Sequence, residues 1–329
     1  MRALERSGSG GSGRVMTVLG PISSEDMGVV LMHEHAAFAF PGWYADESVA
    51  PYERKRVEER WLKVLGEIKA VGVKTVVDAT PADVGGRDPI LLRDAAERSG
   101  VNTIMATGIA WEGDGAPRYF KFNQARGRNI EEDLYELFVR EITVGVRGTG
   151  VRAGIIKLGS GDPKVSDHEK IVFRAGVRAS LATGVPIITH CQGPSVGPEQ
   201  MDLFLSLEAN AKMILVGHQN NSTDLDYFLD QIKRPGFYLG FDRVSLVNPE
   251  AEDCIIELVK QGHADRLILS HDYVATFVGR PIAVEEFFPV WHPTYVHLKL
   301  IPKMKAAGIT DSQIRTMLVD NPRSLFQGA

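Results

Sequence analysis

Eight short apolar runs, each followed by a longer stretch with helical periodicity, constrain this chain more than any other feature. They fall at residues 29–32, 75–78, 102–105, 154–157, 186–189, 213–216, 237–240 and 266–269. Strands alternating with helices imply a parallel sheet, and strands that are apolar throughout imply one covered on both faces. The intervening segments support the helices. Residues 51–71 carry Val57, Trp61, Val64, Leu65 and Ile68 at helical spacing and close at Gly72. Residues 88–99 and 167–183 behave alike, with Gly100 and Gly184 placed as C-caps. Eight such units without a composition shift between the halves predict a closed (β/α)8 barrel. A doubly wound sheet fits less well, because no GxGxxG follows the first strand.

Composition agrees with one large core. The 329 residues are 44% hydrophobic and 24% charged, as globular chains are. A net charge of −5 gives no electrostatic footprint for nucleic acid or an acidic membrane surface. The two cysteines, Cys191 and Cys254, form no CxxC pair, so a reducing compartment is expected. With no apolar run of about 18 residues and no signal-like N-terminus, the expectation is a cytoplasmic soluble protein. Residues 1–14 read as a flexible Ser/Gly-rich tail or tag and 15–329 as a single barrel domain. Residues 273–293 read as a long functional loop, 294–307 as a helix despite Pro302, and 311–319 as another ending near Asn321-Pro322.

The chemistry lies at the strand ends. The first run leads into His33-Glu34-His35, the fourth ends in Lys157, the fifth leads to His190, the sixth to His218 and the eighth to Asp272. In a parallel barrel these ends open on one face, where barrel enzymes place their sites. His33 and His35 alternate on one strand, about 6.6 Å apart at Cα and facing one side, so both can reach one ion while Glu34 points away. Singly, each residue has a structural reading: a satisfied histidine, a helix-capping Asp272, a surface Lys157. Together they predict a metal centre. Imidazole and carboxylate donors suit Zn²⁺ and tolerate Mn²⁺, Co²⁺ or Fe²⁺. Four histidines and an aspartate exceed the protein ligands of one catalytic zinc, which implies two divalent ions. An ammonium beside two dications is disfavoured. A neutral Lys157 amine can instead take up carbon dioxide as a carbamate able to bridge both ions.

These residues resemble the phosphotriesterase-like branch of the amidohydrolase superfamily, which includes phosphotriesterases, phosphotriesterase-like lactonases and phosphotriesterase homology proteins. The landmarks run from Gly28 to Pro322: His33-Glu34-His35, Thr107-Gly108, Ile156-Lys157, the segment ending in His190, Gly217-His218, Gly240-Phe241-Asp242-Arg243, Ser270-His271-Asp272 and Asn321-Pro322. The resemblance implies that His33, His35 and Asp272 hold a buried ion and His190 and His218 a more exposed one. It makes carboxylated Lys157 the bridge together with a nucleophilic hydroxide, and Asp272 the proton acceptor. Family members are commonly homodimers.

Phosphotriesterases of this family carry a proton relay of a histidine after the seventh-strand aspartate and an aspartate three residues after the strand-six histidine. Arg243 and Asn221 stand there, with Ser222 beside the latter. An arginine at the first position resembles the lactonases, whereas Ala110-Trp111 replaces the tyrosine that usually follows their Thr-Gly. The expected function is a metal-dependent hydrolase of small esters, a lactonase with weaker organophosphate triesterase activity. Its catalytic residues would be Asp272, Lys157 and Arg243, and its substrate contacts Trp111, Arg243, Phe287 and Trp291. The alternatives are a dedicated phosphotriesterase or arylesterase, a Schiff-base aldolase using Lys157, and a non-catalytic barrel. Cys191 is expected to face away as buried filler, and His271 to be structural.

Overall fold

The computed structural model describes residues 13–280 and 288–328. All eight apolar runs become strands: β3 (Val29–His35), β4 (Val73–Asp78), β5 (Asn102–Gly108), β6 (Ile155–Ser160), β7 (Ile187–Cys191), β8 (Ile214–Val216), β9 (Tyr238–Phe241) and β10 (Leu267–Leu269). They pair in parallel, each with its neighbour in sequence. A short strand β11 (Tyr273–Val274) continues β10 and pairs in parallel with β3. Between β10 and β11 the Asp272 N–H donates to the His33 carbonyl at 2.9 Å. The eighth strand thus touches β9 with its first half and β3 with its second, which closes the barrel.

An antiparallel hairpin of β1 (Arg14–Thr17) and β2 (Gly20–Ser23) precedes the barrel, so Arg14, read as the last residue of the tail, belongs to a strand. Val15 of this hairpin, Met27 and Leu325 pack with the inward side chains Val30, Met32, Ile104, Ile155, Leu215 and Ile268. Outside the strands, helices Arg54–Ala70 and Pro89–Ser99 bury Trp61, Leu65, Ile68 and Leu92, as their spacing predicts. Helix Asp167–Thr183 buries Phe173 and opens on a capping box of Ser166 and Glu169. Both faces of the sheet are therefore covered, which is why its strands read as unbroken apolar runs.

The C-terminal segments are helical where the sequence reading places helices, and one boundary is corrected. The 294–307 segment contains a π turn, Val296–Leu300, before helix Ile301–Ala306. The last helical stretch does not stop at Asn321-Pro322: Asp311–Arg315 passes through a second π turn, Thr316–Asp320, into helix Asn321–Gln327. Proline lacks an N–H and its ring crowds the carbonyl one turn back, and a widened turn just ahead of Pro302 and of Pro322 relieves that conflict without ending the helix.

His297 lies in the first π turn with both ring nitrogens buried and unpartnered among the described residues. Burial, helped by nearby His271, pushes its pKa from 6.5 down to about 4. Between those values the unfolded chain binds a proton that the folded one refuses. Stability from this group is intact above pH 6.5 and falls as pH drops towards 4. His297→Phe is expected to flatten that window, sparing up to about 3 kcal/mol of acid-induced loss. Melting curves of both proteins at neutral and mildly acidic pH test it, and parallel losses would rule it out. No helix of the described residues is long and apolar enough to cross a membrane.

Candidate metal centre

The C-terminal strand ends converge as the alternation requires. His33 and His35 of β3, Lys157 of β6, His190 of β7, His218 after β8 and Asp272 after β10 are all buried and line one cavity of about 230 Å³. Nε2 of His35 lies 3.0 Å from Asp272 Oδ1, and Nε2 of His33 lies 3.4 Å from the same oxygen. Lys157 Nζ is 2.8 Å from His33 Nε2. Nε2 of His218 is 2.9 Å from Nδ1 of His190 and 3.7 Å from Asp272 Oδ2. One donor atom each from His33, His218 and Asp272 falls within 4.8 Å of the others.

The outward nitrogens decide what the inward ones can do. His33 Nδ1 meets Asp242 Oδ2 at 2.7 Å, His218 Nδ1 meets Asp242 Oδ1 at 2.9 Å, His35 Nδ1 meets Thr80 Oγ1 at 2.8 Å, and His190 Nε2 meets Gln192 Oε1 at 2.7 Å. A carboxylate oxygen only accepts, so His33 and His218 carry their protons outside and turn their Nε2 lone pairs inward. The His218 Nε2 lone pair faces His190 Nδ1 at 2.9 Å, close enough for both nitrogens to serve one cation. The donor set fits divalent ions, and acceptors behind metal-facing imidazoles are how such rings are fixed.

Electrostatics point the same way. Burial lowers the pKa of His33 and holds His190 and His218 well below the ordinary histidine value, so all three are neutral donors. Burial alone would raise Asp272, but His33, His218 and Arg243 hold it well below the carboxylate range. Burial brings Lys157 down to about 8, against the opposing pull of Asp272 and Asp242. A neutral amine is therefore accessible near neutral pH. Burial pushes the Cys191 thiol up to about 12, as expected for filler.

Local backbone makes this convergence possible. His218 and Asp272 both adopt left-handed φ, 59° and 54°, a conformation costly for non-glycine residues and typical of functional sites. A Cβ on Gly217 would lie 2.2 Å from the Thr189 carbonyl and 2.8 Å from Asp242 Oδ2, so only glycine lets the Asp242 carboxylate sit between the two histidines.

Around the centre, Arg243 Nε donates to Asp272 Oδ2 at 2.9 Å and its backbone N–H to Asn220 Oδ1 at 3.0 Å. Asn221 does not enter the cavity and binds the Cys191 carbonyl at 2.7 Å. Trp111 stacks on His190 with ring centroids 5.9 Å apart and planes 15° apart. Trp291 lines the cavity, yet its Nε1 donates to the His271 carbonyl at 2.9 Å, so it also holds its loop. Phe287 lies outside the described residues. Phe38, Phe277, Phe288 and Leu246 also form the wall, and Asp114 adds a carboxyl that burial raises. Asp242 and Thr80 are the functional contacts the sequence reading did not assign. The signal for Asp242 was present, an acidic residue at the end of the seventh strand.

Comparison with known proteins places this geometry. The family model described as "Phosphotriesterase family" matches residues 13–326. The chain belongs to the phosphotriesterase family. A phosphotriesterase homology protein of Mycobacterium tuberculosis is 36% identical over 94% of this chain and 97% of its own length. An aryldialkylphosphatase of Saccharolobus solfataricus is 30% identical over 93% and 96%. The solved organophosphorus hydrolase from Deinococcus radiodurans superposes with a TM-score of 0.92 at 37% identity, covering 97% of this chain and 99% of that one. The chain is accordingly a hydrolase on a (β/α)8 barrel, and family membership implies a site for two divalent ions.

Proposed function

We propose that this enzyme is a lactonase with weaker activity on organophosphate triesters. In this reading His33, His35 and Asp272 would hold the buried ion and His190 and His218 the more exposed one, and a carbamylated Lys157 would supply a carboxylate to both. The observation that carries the centre is the convergence of buried donor atoms from His33, His218 and Asp272 within 4.8 Å of one another, with His190 Nδ1 2.9 Å from His218 Nε2. Zinc suits the donors best, with manganese, cobalt or iron as substitutes.

Carbamate formation balances simply. The neutral Lys157 Nζ attacks carbon dioxide, an N–C bond forms, and the nitrogen loses one proton to solvent. When bound, the two ions polarise the scissile C=O or P=O and bring the pKa of water towards neutrality. The chain's own residues do the rest. Asp272 receives the proton at its carboxylate and passes it on. Arg243, bonded to Asp272 Oδ2, fixes that carboxylate and lines the cavity that would take the substrate. Trp111, Phe38, Phe277 and Trp291 give an apolar wall for an acyl or alkoxy group.

The lactone preference rests on Arg243 at the position where a relay histidine would otherwise stand. Related proteins carry both activities in their names: a phospho-furanose lactonase of Mycoplasmopsis synoviae is 26% identical, and one related solved structure is described as organophosphate hydrolysis engineered from a weak promiscuous lactonase. The test is a panel of lactones, aryl esters and phosphotriesters assayed on protein of measured metal content. Higher kcat/KM on lactones is expected. Triesters turned over faster would favour the dedicated phosphotriesterase, and borohydride trapping of substrate on Lys157 would favour the aldolase. Light scattering tests the homodimer that the resemblance implies.

A further inference from the structure

Asp272 holds its place at a backbone conformation that an aspartate does not adopt cheaply, φ 54°, in the gap between β10 and β11. Something must over-determine it. The residue that does so is Glu34, which lies between His33 and His35 on β3 and which the pleat turns away from the metal centre. Glu34 is 2% exposed. Its Oε1 accepts from the Ser270 hydroxyl at 2.9 Å, the His271 N–H at 3.1 Å and His271 Nδ1 at 2.9 Å. Its Oε2 accepts from the Tyr273 N–H at 2.8 Å. The two peptide N–H groups on either side of Asp272 are therefore anchored to one carboxylate, while the Asp272 N–H itself goes to the His33 carbonyl at 2.9 Å. His271 extends the anchor, because its Nε2 accepts from the Val296 N–H at 3.1 Å and ties the crossing to the next segment.

We propose that Glu34 is a positioning residue for Asp272: its carboxylate clamps His271 and Tyr273 and so aims the Asp272 side chain at His33, His35 and Arg243. The tripeptide His33-Glu34-His35 then serves the site twice, with two imidazoles on the inner face and the anchor for the opposing carboxylate on the outer face. Glu34 does not line the cavity, so it acts on catalysis through Asp272 and leaves substrate binding alone. The inference rests on the role assigned to Asp272 above.

Glu34→Gln tests it. An amide replaces one acceptor oxygen by an NH2 group, which must face an N–H whichever way it is turned, so one side of the clamp opens. Metal affinity, measured by elemental analysis after dialysis against graded chelator, is expected to fall about 10–100-fold. The kcat should fall by a similar factor with KM within about twofold. Leu65→Ala, a cavity in the outer core at a residue that does not line the site, is the control for lost stability alone: it should melt lower and keep wild-type metal affinity and kcat. Glu34→Asp, one methylene too short to span both N–H groups, is read in the same way and serves if the glutamine variant does not fold. Glu34→Gln that behaves like Leu65→Ala, melting lower with metal affinity and kcat intact, overturns the proposal. Asp272→Asn is run alongside. If it too keeps metal and activity, the role of Asp272 falls and the inference with it, whereas loss in Asp272→Asn alone removes only the part assigned to Glu34.

Discussion

Lys157→Ala is expected to purify without its metal complement and to turn over no substrate above background. The reason lies in the charge balance of the site. Three histidines held neutral by burial donate lone pairs but no charge, and Asp272 supplies one negative charge to offset two dications. A second protein carboxylate would offset more of that charge, and Lys157, at 2.8 Å from His33 Nε2 with its pKa lowered to about 8 by burial, is placed to become one. Removing it leaves a gap of side-chain size in the wall of the centre. A short carboxylic acid supplied with metal should occupy that gap and restore part of the activity. Lys157→Arg should fail as alanine does, since guanidinium stays protonated and cannot take up carbon dioxide. Chelation of the wild type should give the same inactive state, reversed by Zn²⁺, Mn²⁺ or Co²⁺. Elemental analysis with rate measurements decides it: full activity in either lysine variant contradicts the bridge, and active protein free of transition metal contradicts the whole centre.

What could be read before the structure divides along a physical line. The strands were legible because a parallel strand covered on both faces has to be apolar along its length, so runs such as 155–156 and 187–188 stand out against their surroundings. The centre was legible because a closed parallel barrel sends every strand end to one face, which makes His33, Lys157, His190, His218 and Asp272 neighbours despite their spacing in sequence. What depends on the second side of a residue was not legible. Alternation says that Glu34 points away from its flanking histidines, but not that it meets the backbone on both sides of Asp272. Asp242 is one acidic residue among 42 in the sequence, and only the structure shows it bonding two imidazoles from different strands. Trp291 reads as pocket lining from its type, yet its N–H is committed to the His271 carbonyl. Pro322 reads as a break, because sequence does not reveal that a helix can widen by one residue to pass it.

Arg243→His is expected to lower kcat/KM on lactones by roughly 10–100-fold, the size of losing a hydrogen bond to a charged partner, and to lower it on aryl phosphotriesters by much less. The Nε to Oδ2 bond of 2.9 Å couples Arg243 to Asp272, and the backbone N–H anchored on Asn220 fixes where the side chain starts. A lactone keeps its leaving alkoxide tethered to the acyl group and needs that alkoxide protonated, so the reaction depends on the orientation of Asp272 and of the ring. A phenolate leaving group is stable without a proton, so a triester depends less on both. An imidazole at this position restores one half of the relay found in phosphotriesterases, but Asn221, bonded to the Cys191 carbonyl, offers no carboxylate to complete it. The difference between the two substrates is therefore the informative quantity, because it reports transition-state binding and cancels any general loss of stability or metal. A lone structural role for Arg243, holding Asp272 in place for every substrate alike, would produce equal losses. Equal losses would leave the metal centre standing and remove the case for a lactonase.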